Sequence, residues 1–134
     1  MSRLRKIFIS HCWDYDNDYN TIKTWLDNAL YYTFSDYSIS IEKKLLGLNN
    51  SELKTAIAEQ IRQCSVFIVP TAVYSSCSDW VKFEVQTAVN MGKPILAVVP
   101  WGQKHNSVMV TTCADKTVGW NSSSVIEGIK ELTR

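Results

Sequence analysis

"SVFIVP", Ser65 to Pro70, is an unbroken apolar run of β-branched and aromatic residues that stops at a proline. It is too short for a helix and has no polar alternation, so it predicts a strand covered on both faces. The sequence on either side predicts the covers. Upstream, "NSELKTAIAEQIRQC" carries Leu53, Ile57 and Ile61 every four residues, an amphipathic helix capped by Asn50 or Ser51. Downstream, "TAVYSSCSD" is a loop and "WVKFEVQTAVNMG" a helix closed by Gly92. A buried strand between two helices is the core of a βαβ unit.

The same alternation extends outward. "RKIFIS", Arg5 to Ser10, predicts a first strand, and "DNDYNTIKTWLDNALYY" a helix with Ile22, Trp25, Leu26 and Leu30 near helical spacing. "DYSISI", Asp36 to Ile41, alternates as a second strand, followed by a polar loop with Gly47, Asn49 and Asn50. Towards the carboxyl end, "KPILAVVPWG" predicts another buried strand, "VMVTTCADK" a short helix, and "KTVGWN", Lys116 to Asn121, a last short strand. "SSSVIEGIKEL" is a final amphipathic helix with caps at Asn121 to Ser123. This order predicts an α/β domain with a parallel sheet and helices on both faces. Residues 1–134 are expected to form a single domain.

Composition narrows the function. A net charge of +1, with no basic tract beyond Arg3-Leu4-Arg5-Lys6, argues against nucleic-acid binding. The longest apolar stretch, Pro94 to Trp101, is too short for a membrane span, and the start lacks a secretory signal, so a cytoplasmic location is expected. The four cysteines, Cys12, Cys64, Cys77 and Cys113, have no paired ligand spacing; free thiols are expected and no metal site.

In open parallel sheets, ligands bind beyond the carboxyl ends of the strands. That rule selects three loops: Ser10 to Asp16, Pro70 to Asp79 and Pro100 to Asn106. The first reads "SHCWDYD". Neither a glycine-rich dinucleotide fingerprint nor a P-loop occurs anywhere. On a helix from about Asp79 to Met91, Val81, Val85, Ala88 and Val89 form the buried stripe. Glu84 then lies roughly 60° off its centre, with Trp80 one turn before it. A carboxylate at that border suits either an ordinary helix-edge ion pair, with Lys82 for example, or contact with a ligand in the crevice.

Three blocks carry a family likeness. "KIFISHCWDYD" resembles the first strand and loop of Toll/interleukin-1 receptor (TIR) domains. "LKTAIAEQIRQCSVFIVPTAVYSSCSDWVKFE" resembles their helix–strand–loop–helix core, with Tyr74, Trp80 and, four residues on, Glu84. More narrowly, "FISHCWDYDNDY", "SDWVKFEVQTAVNMGKPILAVVPWGQ" and "VGWNSSSVIEGI" are similar to the bacterial TIR-like ThsB family of Thoeris antiphage defence.

The resemblance implies a flavodoxin-like three-layer sandwich around a five-stranded parallel sheet in the order 2-1-3-4-5. It implies an enzyme that cleaves the nicotinamide–ribose bond of NAD⁺, taken as substrate with no separate cofactor. The product implied is a cyclic ADP-ribose-type signal that activates a partner Thoeris effector of the ThsA kind. A phage-derived trigger and a homo-oligomeric active form are implied as well. It makes Glu84 the catalytic residue and assigns Phe8, Ser10, His11, Trp13, Asp14, Tyr74 and Trp80 to substrate binding. The alternative is a non-catalytic TIR-like adaptor that signals by assembly; adaptors usually lack the glutamate that this chain keeps.

Overall fold

A computed structural model describes residues 4–10, 17–29, 33–36, 50–71, 78–99 and 112–133. Strands β1 (Leu4–Ile9), β2 (Thr33–Asp36), β3 (Val66–Pro70), β4 (Ile95–Val99) and β5 (Lys116–Gly119) alternate with helices. These are α1 (Asn17–Asp27), α2 (Asn50–Gln63), α3 (Ser78–Asn90) and α4 (Ser122–Leu132). The strands pair in parallel in the order β2-β1-β3-β4-β5. The parallel α/β architecture expected from the alternation is present, and β3 is buried along its whole length.

Alternation along each strand sorts the core into two layers. Phe8, Phe67, Val69, Ile95 and Ala97 point to one face, where α2 supplies Leu53, Ile57 and Ile61 and α3 supplies Val81, Val85 and Ala88. Ile7, Ile9, Val66, Ile68, Leu96 and Val98 point to the other, against Ile22 and Leu26 of α1 and Val125 and Ile129 of α4. Each fully buried Ile or Leu contributes about 1.5–3 kcal/mol of transfer free energy. Trp25 and Trp120 close the second layer edge to face, with ring centroids 5.1 Å apart.

Two helix ends follow the predicted signals, whereas Asn50 and Ser51, expected as caps of α2, lie within its first turn. Asn121 caps α4 by accepting from the Ser124 backbone N–H at 2.8 Å. Gly92, with φ of 70°, ends α3. Its N–H donates to the Val89 carbonyl and that of Lys93 to the Ala88 carbonyl, both at 3.0 Å, the paired bonds of a Schellman stop.

Three expectations need correction. The second strand is Thr33–Asp36 rather than Asp36–Ile41; residues 37–41 lie outside the described residues. Register explains the change. β1 pairs Leu4 with Thr33 through Ile7 with Asp36, and α1, ending at Asp27, leaves the chain free to return to the sheet by Thr33. A short edge strand takes its start from pairing to its neighbour rather than from local alternation. The first helix, expected to carry Leu30, ends at Asp27, and Leu30 lies outside the described residues. Finally, Val89 is not in the buried stripe of α3 but 46% exposed.

Candidate active site

The sheet order reverses between β1 and β3, which pair side by side, Ile9 opposite Ile68. In doubly wound sheets the ligand crevice opens at such a switch point, beyond the carboxyl ends of the strands. Two polar side chains from distant parts of the sequence meet there. Ser10 directly follows β1, on the same side as Phe8, two residues back. Its backbone N–H continues the ladder by donating to the Ile68 carbonyl at 2.8 Å. Glu84 comes from α3, the helix that returns from the carboxyl end of β3. The Ser10 hydroxyl donates to Glu84 Oε1 at 2.6 Å, across 74 residues of sequence.

Both are withdrawn from water: Ser10 is 0% and Glu84 4% exposed. Glu84 belongs to the stripe Val81, Glu84, Val85, Ala88, spaced i, i+3, i+4, i+7, which packs onto the sheet. Burial pushes its carboxyl up to about 8, because desolvation penalises the ionised form, while the Ser10 hydroxyl pulls the other way. No group of His, Cys, Asp and Glu able to hold a metal occurs among the described residues.

The other expected site residues divide in two. Phe8 is 1% exposed, and its ring stacks on Phe67 at a centroid distance of 5.5 Å, so it forms the apolar floor beneath Ser10. His11, Trp13, Asp14 and Tyr74 lie outside the described residues, as do residues 100–106; for Trp80 only the backbone, in the first turn of α3, is described. Thr71 was not singled out from the sequence. It is 0% exposed at the end of β3, with its N–H on the Val98 carbonyl at 3.0 Å. A polar residue immediately after a wholly apolar strand is the signal that marks it.

A cleft of about 410 Å³ opens at the opposite end of the sheet, lined by Val89, Lys93, Pro94, Asp115 and Leu132 among others. It contains none of the expected site residues. Cys64 and Cys113 are free thiols, as expected. Burial pushes the Cys64 thiol up to about 11, which makes it a poor nucleophile.

Fold and site together define a doubly wound α/β domain that holds a buried carboxyl at its topological switch point. Residues 8–105 match the family described as "Thoeris protein ThsB, TIR-like domain". The chain belongs to that TIR-like family. No curated protein matches it in sequence. Among solved structures it is similar to the CMP N-glycosidase BcmB of Clostridium botulinum, with 13% identity, 95% of this chain and 99% of that one covered, and a TM-score of 0.60. It is also similar to a conserved protein from Enterococcus faecalis V583, with 10% identity, 96% and 99% coverage and a TM-score of 0.67. At these identities the likeness is one of fold.

Proposed function

We propose that the chain cleaves an N-glycosidic bond of a nucleotide, specifically the nicotinamide–ribose bond of NAD⁺, with Glu84 as the catalytic carboxyl. The observation that carries this reading is the buried Glu84 fixed by Ser10 at the switch point. Membership of the ThsB TIR-like family and a fold shared with a CMP N-glycosidase support the bond class.

The chemistry suits a single carboxyl. Nicotinamide departs as a neutral molecule, and the ribose passes through an oxocarbenium-like state. A carboxylate beside the ribose holds its hydroxyls and stabilises the developing positive charge. In the free protein Glu84, pushed up to about 8, is largely protonated at neutral pH. The nicotinamide ring of bound NAD⁺ is cationic, and a positive charge nearby favours the ionised carboxyl. Substrate binding thus produces the form that the chemistry needs. Capture of the ribosyl cation by an adenine nitrogen or a ribosyl oxygen gives a cyclic ADP-ribose-type signal, which activates a Thoeris effector in the cytoplasm. In this scheme His11, Trp13, Asp14, Tyr74 and Trp80 are the further substrate-binding residues that the family resemblance implies.

The test incubates the protein with NAD⁺, and in parallel with CMP, with and without infected-cell lysate or a crowding agent. Free nicotinamide and free cytosine are measured. Wild type releases nicotinamide under activating conditions, and Glu84→Gln releases it about 100-fold more slowly or worse. Equal release by both proteins refutes the assignment. Release of cytosine in place of nicotinamide transfers the reading to a pyrimidine nucleotide. Release of neither under any condition favours the adaptor.

A further inference from the structure

We infer that Ser10 is a positioning residue rather than a substrate contact: it pins Oε1 of Glu84 and leaves Oε2 as the working oxygen. The inference rests on the enzymatic reading of Glu84 above.

Three observations support it. First, Ser10 has no surface to offer a ligand. It is 0% exposed, its backbone N–H is committed to the Ile68 carbonyl, and its hydroxyl proton to Glu84. Second, the anchor is rigid. Ser10 continues the β1–β3 ladder directly above the stacked rings of Phe8 and Phe67, so its hydroxyl position is set by the sheet and not by a loop. A donor on a regular element holds a partner to tighter tolerance than one on a loop.

Third, the two carboxyl oxygens are inequivalent. Oε1 accepts from Ser10, and Ser10 is the sole hydrogen-bond partner of the Glu84 side chain among the described residues. No fully buried polar side-chain atom among the described residues lacks a partner. Oε2 makes no such bond, so it shares in the 4% exposure that Glu84 retains. A carboxyl fastened at one oxygen and open at the other has one direction in which to act.

Among the described residues, Ser10 is the only side chain that tunes this group. Asp79 and Lys82 lie on α3, Glu52, Lys54, Glu59 and Arg62 on α2, and Arg5 and Lys6 on β1; β3 and β4 carry no ionisable side chain. Lys54 sits over the Phe83 ring, and Arg62 pairs with Glu59. None of these charges bears on Glu84, whose proton affinity is set by burial and by the Ser10 hydroxyl.

The test compares wild type, Ser10→Ala and Ser10→Thr in two measurements. One follows the Glu84 side-chain carboxyl by ¹³C NMR across a pH titration of the free protein. The other measures kcat and KM for nicotinamide release from NAD⁺ across the same pH range, under activating conditions. Loss of the hydroxyl removes a bond to the ionised form, so Ser10→Ala moves the Glu84 midpoint up by about one pH unit. Its pH–rate profile moves the same way, kcat falls by about tenfold, and KM stays within about twofold. Ser10→Thr keeps the hydroxyl and keeps the wild-type midpoint. An unmoved midpoint in Ser10→Ala overturns the inference. So does a rise in KM with kcat preserved, which is the behaviour of a substrate contact. The titration needs no turnover, so it can fail while nicotinamide release persists, and release can fail while the titration succeeds.

Discussion

Among the acidic side chains whose burial is described, Glu84 is the one taken out of water. Moving an ionised carboxyl into an apolar layer costs several kcal/mol, and a single hydroxyl donor offsets only part of that. The group therefore binds its proton more tightly folded than unfolded, with a pKa of about 8 against the ordinary 4.5. The sign of the pH effect follows from linkage. Below about pH 4.5 the carboxyl is protonated in both states and its burial carries no electrostatic penalty. As pH rises towards 8 the unfolded chain releases the proton and the folded one retains it, so stability declines, by at most about 1.4 kcal/mol per unit. Above about 8 the loss is complete and the slope disappears. Urea unfolding of wild type and Glu84→Gln between pH 5 and 9 reads this directly. The difference between the two proteins changes steadily through the window in favour of the variant, then levels off. A constant offset would mean that Glu84 titrates normally. Buried carboxyls with raised pKa values cluster at functional sites.

At the scale of elements, apolar colouring alone chose the wrong fourth member of the α3 stripe. It counted Val89, which is 46% exposed, and placed Glu84 at the border. The true stripe, Val81, Glu84, Val85, Ala88, is the better helical spacing and has an acid inside it. Spacing was legible in the sequence; the cost of burying a charge made the correct face look improbable. Boundaries behaved similarly. α2, whose Leu53, Ile57 and Ile61 are all buried, read correctly because one period runs its length. β2 did not, because a short edge strand takes its register from β1 rather than from its own alternation. α4 shows a contact that no sequence pattern carries. A Cβ on Gly128 would sit 2.8 Å from Leu96 Cδ1 and 3.3 Å from Cδ2, and Leu96 is fully buried. Alanine gains about 1 kcal/mol over glycine as a helix former. Forcing α4 off β4 costs about 1–3 kcal/mol. Gly128→Ala is therefore expected to lower stability by about 1 kcal/mol, seen as a lower urea midpoint at unchanged m-value. A raised midpoint would show that α4 can ride outward without loss.

At the scale of the whole molecule, the alternation of elements made the parallel α/β architecture legible, and the crevice rule drew attention to the end of the sheet where Ser10 and Glu84 meet. The bond between them was not legible, since it joins residues 74 positions apart. The same limit hides the pairing that ties the two ends of the described chain. Arg5, in the first strand, donates from Nε to Thr133 Oγ1 at 2.9 Å, across 128 positions. Thr133 Oγ1 in turn donates to the Ile129 carbonyl at 2.7 Å, at the end of α4. Arg5 is 9% and Thr133 5% exposed, so the guanidinium is held largely out of water. β1 lies between β2 and β3, and α4 packs on β4 and β5, so this bond connects both halves of the sheet through its covering helix. Thr133→Val keeps the shape and removes the acceptor, leaving a buried N–H of a charged group without its partner. The expected cost is about 1–3 kcal/mol. Arg5→Met removes the charge and keeps the apolar stem, so Thr133→Val should cost less in its presence. A double-mutant cycle by urea unfolding should therefore return a coupling of about 1 kcal/mol. Additive losses would mean that the bond adds nothing.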